Sequence, residues 1–117
     1  MLAIERLDLG EVTVLRLRGD IEESTLNTLL LALVNCLEQR RYRVILNLAG
    51  VAFINNKCCG PLVDRLSRFQ EAGGDMYLAS PNLYIRRLLR MLSLNHVFHC
   101  YDTEEQAVRG ISNAAAA

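Results

Sequence analysis

The chain has 117 residues, is 51% hydrophobic and 22% charged, and sets 13 basic against 13 acidic residues. That length fits one domain and leaves no room for two ordinary ones. The apolar content excludes disorder, and zero net charge excludes a nucleic-acid binder driven by counterion release.

Leu2, Ile4 and Leu7 open the chain as a short strand, and Asp8-Leu9-Gly10-Glu11 reads as a turn. Residues 12–18 then alternate with period two, broken by one slip, so the two strands form a hairpin. Ser24 is placed to cap a helix running to about Arg40, with Leu26, Leu29, Leu30, Leu33 and Leu37 on one face. Leu31 and Val34 fall off that face, and either widen the apolar stripe or form a partner or dimer surface. Residues 44–48 are a buried strand and 49–57 a loop. Gly60-Pro61 opens a second helix that turns Leu62, Val63, Leu66 and Phe69 inward and stops at Gly73-Gly74. Residues 76–79 form the next strand. Ser80 caps a third helix with Pro81 in its first position. Its inner face is Ile85, Leu88, Leu89 and Leu92, and Arg86, Arg87 and Arg90 face outward. Residues 97–101 form the last strand. Thr103 and Gln106 make a capping box for a final helix to about Ile111, with 113–117 as a frayed or disordered tail. The expected fold is α/β: one domain over 1–112, a mixed, mainly parallel β-sheet with an N-terminal hairpin, and about four helices.

Chemistry-bearing motifs are few. There is no GxGxxG, P-loop, GxSxG or HExxH, so no catalytic residue is expected. The cysteines, Cys36, Cys58, Cys59 and Cys100, form no CxxC pair, so no metal site is expected either. Acidic Glu5 and Asp8 do not fit a secretory leader. No apolar run reaches the roughly 18 residues of a membrane span. The thiols are therefore expected to be reduced and the chain cytoplasmic. Cys58 and Cys59 fall at the start of the second helix, where the dipole would lower a thiol pKa. They read either as small packing residues or as a redox-sensitive thiol. His96 and His99 read as a surface and a strand histidine. Arg40, Arg41 and Arg43 mark an exposed turn. Arg86, Arg87 and Arg90 share one helical side, which is either a solvated face or an attachment for an acidic partner.

The loop around residues 50–60 follows a buried strand and feeds a helix. It therefore lies at the carboxyl end of the sheet, where partners of open α/β folds dock.

Several segments carry a resemblance when taken together. Leu17-Arg18-Gly19-Asp20-Ile21 resembles an L-x-G-E/D-L/I strand end. The run from Val44 to Ile54 resembles V-V-L-D-L-S-G-V-x-F-I. Gly73-Gly74 before a strand resembles G-G-x-L-x-L. Leu88 to Leu94 with Val97-Phe98 resembles V-x-x-L-x-x-x-G-L-x-x-x-F, and Glu104-Glu105-Gln106-Ala107 resembles a closing D/E-E-A helix. In this order and spacing they resemble a STAS domain, the fold of bacterial anti-sigma factor antagonists, over nearly the whole chain from Glu11 to Ile111.

The resemblance implies a non-catalytic protein-interaction module that regulates transcription without a cofactor. Its partner would be an anti-sigma factor that is also a serine kinase. The family's loop reads D-S-S-G, with its first serine phosphorylated. Here the same positions read Asn55-Asn56-Lys57-Cys58. Phosphorylation would add about −1.5 to −2 charges, which Asn56 cannot accept, and Lys57, the only lysine, places a fixed positive charge beside it. Ser24, Thr25, Ser67 and Ser80 remain as acceptors elsewhere. Either Asn56 mimics the unphosphorylated, binding-competent form, or the partner has been lost. The expected partner-binding residues are Asp20, Asn55, Asn56, Lys57, Cys58, Cys59, Arg86, Arg87 and Arg90. Two other readings stand beside this one. One is a structural STAS subunit of a stress-signalling or lipid/anion transport assembly. The other is a thiol sensor or small enzyme using Cys58 or Cys59. A homodimer is compatible with the first two; direct membrane insertion is not expected.

Overall fold

The computed structural model describes residues 1–116. Its elements are β1 (Ala3–Leu9), β2 (Val12–Arg18), α1 (Leu26–Glu38), β3 (Arg43–Gly50), a 3-10 turn (Asn56–Cys58), α2 (Cys59–Glu71), β4 (Asp75–Ala79), α3 (Leu83–Met91), β5 (His99–Tyr101) and α4 (Glu104–Ala116). The strands form one sheet in sequence order, β1-β2-β3-β4-β5. The hairpin β1–β2 is antiparallel and every later pairing is parallel. Parallel neighbours need a crossover, and α1, α2 and α3 supply the three that are required.

The strand alternation explains the layering. On β2 and β3, Leu15, Leu17, Val44, Leu46 and Leu48 join one cluster with Leu29 and Leu33 of α1, Leu62, Leu66 and Phe69 of α2, and Ile85 and Leu89 of α3. The intervening Val12, Val14 and Ile45, with Ala79, form a second cluster beneath Ala107 and Ile111 of α4. The slip in the period of β2 therefore marks a strand buried on both faces over Val12, Val14 and Leu15. Three helices cover one face and α4 covers the other.

Several boundaries differ from the sequence reading. Ser24 is exposed and does not cap α1. Buried Thr25 takes the cap position instead, and its hydroxyl folds the preceding turn by accepting from the Glu22 N–H (2.9 Å) and donating to the Asp20 carbonyl (2.9 Å). α1 ends at Glu38 rather than near Arg40. Arg40 adopts φ 59°, and the Arg41 N–H closes on the Cys36 carbonyl at 2.8 Å. Asn82, not Ser80, caps α3: its side chain accepts from the Ile85 N–H at 2.8 Å. Pro81 thus precedes the helix, and Leu92 follows it as a 39% exposed cap residue. β5 starts at His99, two residues later than expected from 97–101. The capping role of Thr103 holds, its hydroxyl accepting from the Gln106 N–H at 3.1 Å. The helix it starts does not stop near Ile111 but runs to Ala116, through positions expected as a tail. Position 117 lies outside the described residues.

Candidate functional site

The carboxyl ends of β2 and β3 are tied together by a short extension of the sheet. The Gly19 N–H donates to the Gly50 carbonyl (3.1 Å), the Ile21 N–H to Phe53 (3.0 Å), and the Asn55 N–H to Ile21 (2.8 Å). Ile21 and Ile54 form a parallel bridge. Both are buried, so apolar packing pins the two segments and brings the turn at Asp20, Glu22 and Glu23 beside the loop at Asn55 to Lys57.

Within that loop the two asparagines do different work. Asn55 is half-buried, and its side-chain oxygen accepts from the Lys57 N–H at 2.9 Å while its carbonyl accepts from the Cys58 N–H at 2.9 Å. It caps the 3-10 turn, and so fixes the loop. Asn56 is exposed, and its carboxamide has no hydrogen-bond partner among the described residues. Lys57 is exposed too, and its ammonium lies 3.9 Å from a Glu23 carboxylate oxygen. Both side chains are well solvated, so the pair contributes little to stability and leaves the lysine charge available at the surface.

The cysteines do not behave as expected. The 3-10 turn runs directly into α2, which puts Cys58 and Cys59 at its start as predicted, but both are buried. Burial pushes both thiols above their ordinary pKa, and the nearby Glu23 and Glu22 carboxylates push Cys58 further the same way. Desolvation is the largest cause for each, and it acts against the lowering expected of a helix start. Both side chains thus lie beneath the surface at which Asn56 and Lys57 are exposed. Among the described residues no three metal-ligating side chains cluster.

The third wall of the site is the start of α3, which the sequence reading missed. Besides capping its own helix, Asn82 donates its side-chain N–H to the Ala52 carbonyl (3.1 Å) and the Val51 carbonyl (3.4 Å). Tyr84 stacks on Phe53 with ring centroids 5.7 Å apart and planes at 25°, and its hydroxyl reaches the Ile54 carbonyl at 3.4 Å. Leu83 is 61% exposed beside it. The available signal was an apolar pair, Leu83-Tyr84, off the inward periodicity of α3. Further along, Arg86 is bound to Asp102 at 2.8 Å. Arg87 and Arg90 are exposed without an ion-pair partner among the described residues. The surface thus runs from an acidic turn (Asp20, Glu22, Glu23), across neutral Asn56 and Lys57, to an apolar-aromatic step and then two arginines. His96 pairs with Asn95 and His99 lies against Tyr77, so each histidine has a local structural partner.

A five-stranded mixed sheet with helices on both faces, and a fixed loop site at its carboxyl end, defines an α/β module whose exposed groups suit contact with another protein. The chain belongs to the STAS domain family, whose profile matches residues 3–107. It is 24% identical over 98 residues to an anti-sigma F factor antagonist of Paenibacillus polymyxa, covering 83% of this chain and 84% of that protein. The fold is shared with solved antagonists. An anti-sigma factor antagonist from Mycobacterium paratuberculosis superposes with a TM-score of 0.85 at 18% identity, covering 96% of this chain and 95% of that one. The anti-sigma factor antagonist SpoIIAA in its unphosphorylated form gives a TM-score of 0.81 at 18% identity, with 95% and 97% covered. No helix among the described residues is long and apolar enough to cross a membrane.

Proposed function

We propose that this chain is a non-catalytic, cytoplasmic binding module of the anti-sigma factor antagonist type, and that its partner binding is not switched by phosphorylation at the family's usual position. The observation that carries this reading is Asn56: an exposed amide on a hydrogen-bonded turn, between an acidic segment and a lysine, where the family's motif has a hydroxyl. A neutral side chain at that point presents the surface of an unphosphorylated antagonist permanently. The partner contact runs over Asp20, Asn56 and Lys57, with Asn55 holding the turn and Leu83, Tyr84, Arg87 and Arg90 extending it. The partner is an anti-sigma factor with kinase ancestry.

Tagged chain used as bait in a lysate of its own cells tests this. Wild type recovers an anti-sigma factor of this kind, and Asn56→Asp, which places a carboxylate near Glu23, recovers much less at an unchanged melting temperature. Equal recovery by both baits contradicts the reading. The second reading, a permanent subunit of a larger signalling or transport assembly, draws on Leu31, which is 64% exposed on α1 away from this site.

A further inference from the structure

The first strand leaves one edge of the sheet open. β1 is seven residues long, contains no proline, and pairs with β2 in an unbroken register from Ala3↔Arg18 to Leu9↔Val12. Among the described residues no strand lies along its other side. Such an edge templates further pairing unless something blunts it.

The hairpin fixes which backbone groups face outward. Leu9 and Val12 flank a two-residue loop, Gly10-Glu11, with Gly10 at φ 60°. In a two-residue hairpin the flanking pair is hydrogen-bonded, and bonded and non-bonded pairs then alternate. Leu9, Leu7, Glu5 and Ala3 therefore spend their backbone groups on β2. Asp8, Arg6 and Ile4 direct theirs to the open edge.

A second copy meeting this edge antiparallel about a two-fold axis must pair even positions with even and odd with odd, so that facing side chains share a face. Side-chain charge then chooses among the registers. Arg6 opposite Arg6, or Glu5 opposite Glu5, sets like charges face to face. Sliding by one step sets Arg6 opposite Asp8 and Asp8 opposite Arg6, with Leu7 meeting Leu7 on the axis, and Leu9, already 42% exposed, facing Glu5. Within one chain Arg6 already lies 3.0 Å and Arg41 3.8 Å from Asp8, so the paired edges alternate Arg6 and Asp8, with an Arg41 behind each Asp8.

We propose that two copies of this chain associate through β1 in that register, making one continuous sheet across the two-fold axis. Because β1 runs antiparallel to its mate, the two Asn56 sites point to opposite ends of the dimer, and each stays free for its own partner. An open groove of about 440 Å³ borders the same edge, floored by Ile4 and Leu15 and walled by Leu31. Pairing there brings its exposed apolar wall next to the second copy. This proposal is independent of the function proposed above.

Sedimentation velocity over a concentration series, joined to cysteine cross-linking, tests it. Wild type sediments as a concentration-dependent dimer. Arg6→Asp sediments as a monomer, and the double swap Arg6→Asp with Asp8→Arg regains the dimer. Melting curves of each variant check folding. Leu7→Cys sits on the axis in a non-hydrogen-bonded pair, where Cα atoms are about 4.5 Å apart, so mild oxidation gives a covalent dimer. Glu5→Cys, facing Leu9, gives none above the wild-type background. A wild type that stays monomeric, a dimer untouched by Arg6→Asp, or equal cross-linking of Glu5→Cys and Leu7→Cys overturns the proposal.

Discussion

Glu104 is the residue through which the second face of the sheet is held. It starts α4, yet both its oxygens accept from the Arg16 guanidinium at 2.9 Å, and one also accepts from the Asn47 side chain at 2.9 Å. The Arg16 hydrogen bond, aided by Asn47, holds the carboxyl below its ordinary pKa against the opposing effect of burial. A carboxyl depressed in the folded state adds stability that is complete above its unfolded value and lost as pH falls through its folded value. Glu104→Gln should therefore cost about 1 kcal/mol at neutral pH. Its deficit relative to wild type should shrink below about pH 4. Melting temperatures of the two proteins between neutral and acid pH check this. Two glycines give different expectations. A Cβ on Gly60 meets open space beyond its chain neighbours, but Pro61 follows and crowds the Cβ of a helical residue before it, so Gly60→Ala in the first turn of α2 should change stability by less than about 1 kcal/mol. A Cβ on Gly74 collides with the Tyr42 carbonyl, so Gly74→Ala should destabilise it by about 2 kcal/mol or more. Chemical denaturation of both variants measures the pair.

At the scale of elements, α3 and the loop before α2 form one unit. Asn82 starts the helix and grips the loop carbonyls of Val51 and Ala52 with the same side chain. Asn82→Ala should cost about 1 kcal/mol and should speed amide exchange both at Ile85 and across residues 51–55. A change confined to Ile85 would reduce Asn82 to a cap alone. This coupling was not legible in the sequence. Ser80-Pro81 carries a standard helix-start signal, and Asn82 one step on carries another, so local preference could not decide between them. The structure decides through Ser80, which adopts φ 56° and donates its hydroxyl to the Asp102 carbonyl at 3.1 Å. It is thereby drawn into the β4–β5 end and away from the helix. Thr25 displaced Ser24 for a similar reason: the burial of one hydroxyl against the Asp20 turn outranked the exposed position of its neighbour. Cap choice follows from tertiary contacts that single positions do not reveal.

At the scale of the whole molecule, much more could be read in advance. Alternating strand and helix periods, a hairpin turn at Gly10 and two glycines after α2 dictate a mixed sheet with three crossovers, because parallel strands admit few other connections. The double-sided burial of β2 was visible only as a slip in period. The Arg16–Glu104 link joins residues 88 positions apart, and no local pattern announces it. The position of the site at the carboxyl end of the sheet was legible from topology. Of the residues expected there, Asn56 and Lys57 are exposed, whereas the thiols beside them are buried by the very helix start that suggested them. The turn capped by Asn55 exposes at Asn56 an uncharged amide without a hydroxyl. The most direct test is the dissociation constant of the captured partner, measured by titration calorimetry with wild type, Asn56→Gln and Asn56→Asp, all shown to melt at the same temperature. The account predicts that the neutral Asn56→Gln stays within a few-fold of wild type and that Asn56→Asp weakens binding at least tenfold, about 1.4 kcal/mol. Equal affinities for Asn56→Asp and wild type would contradict it.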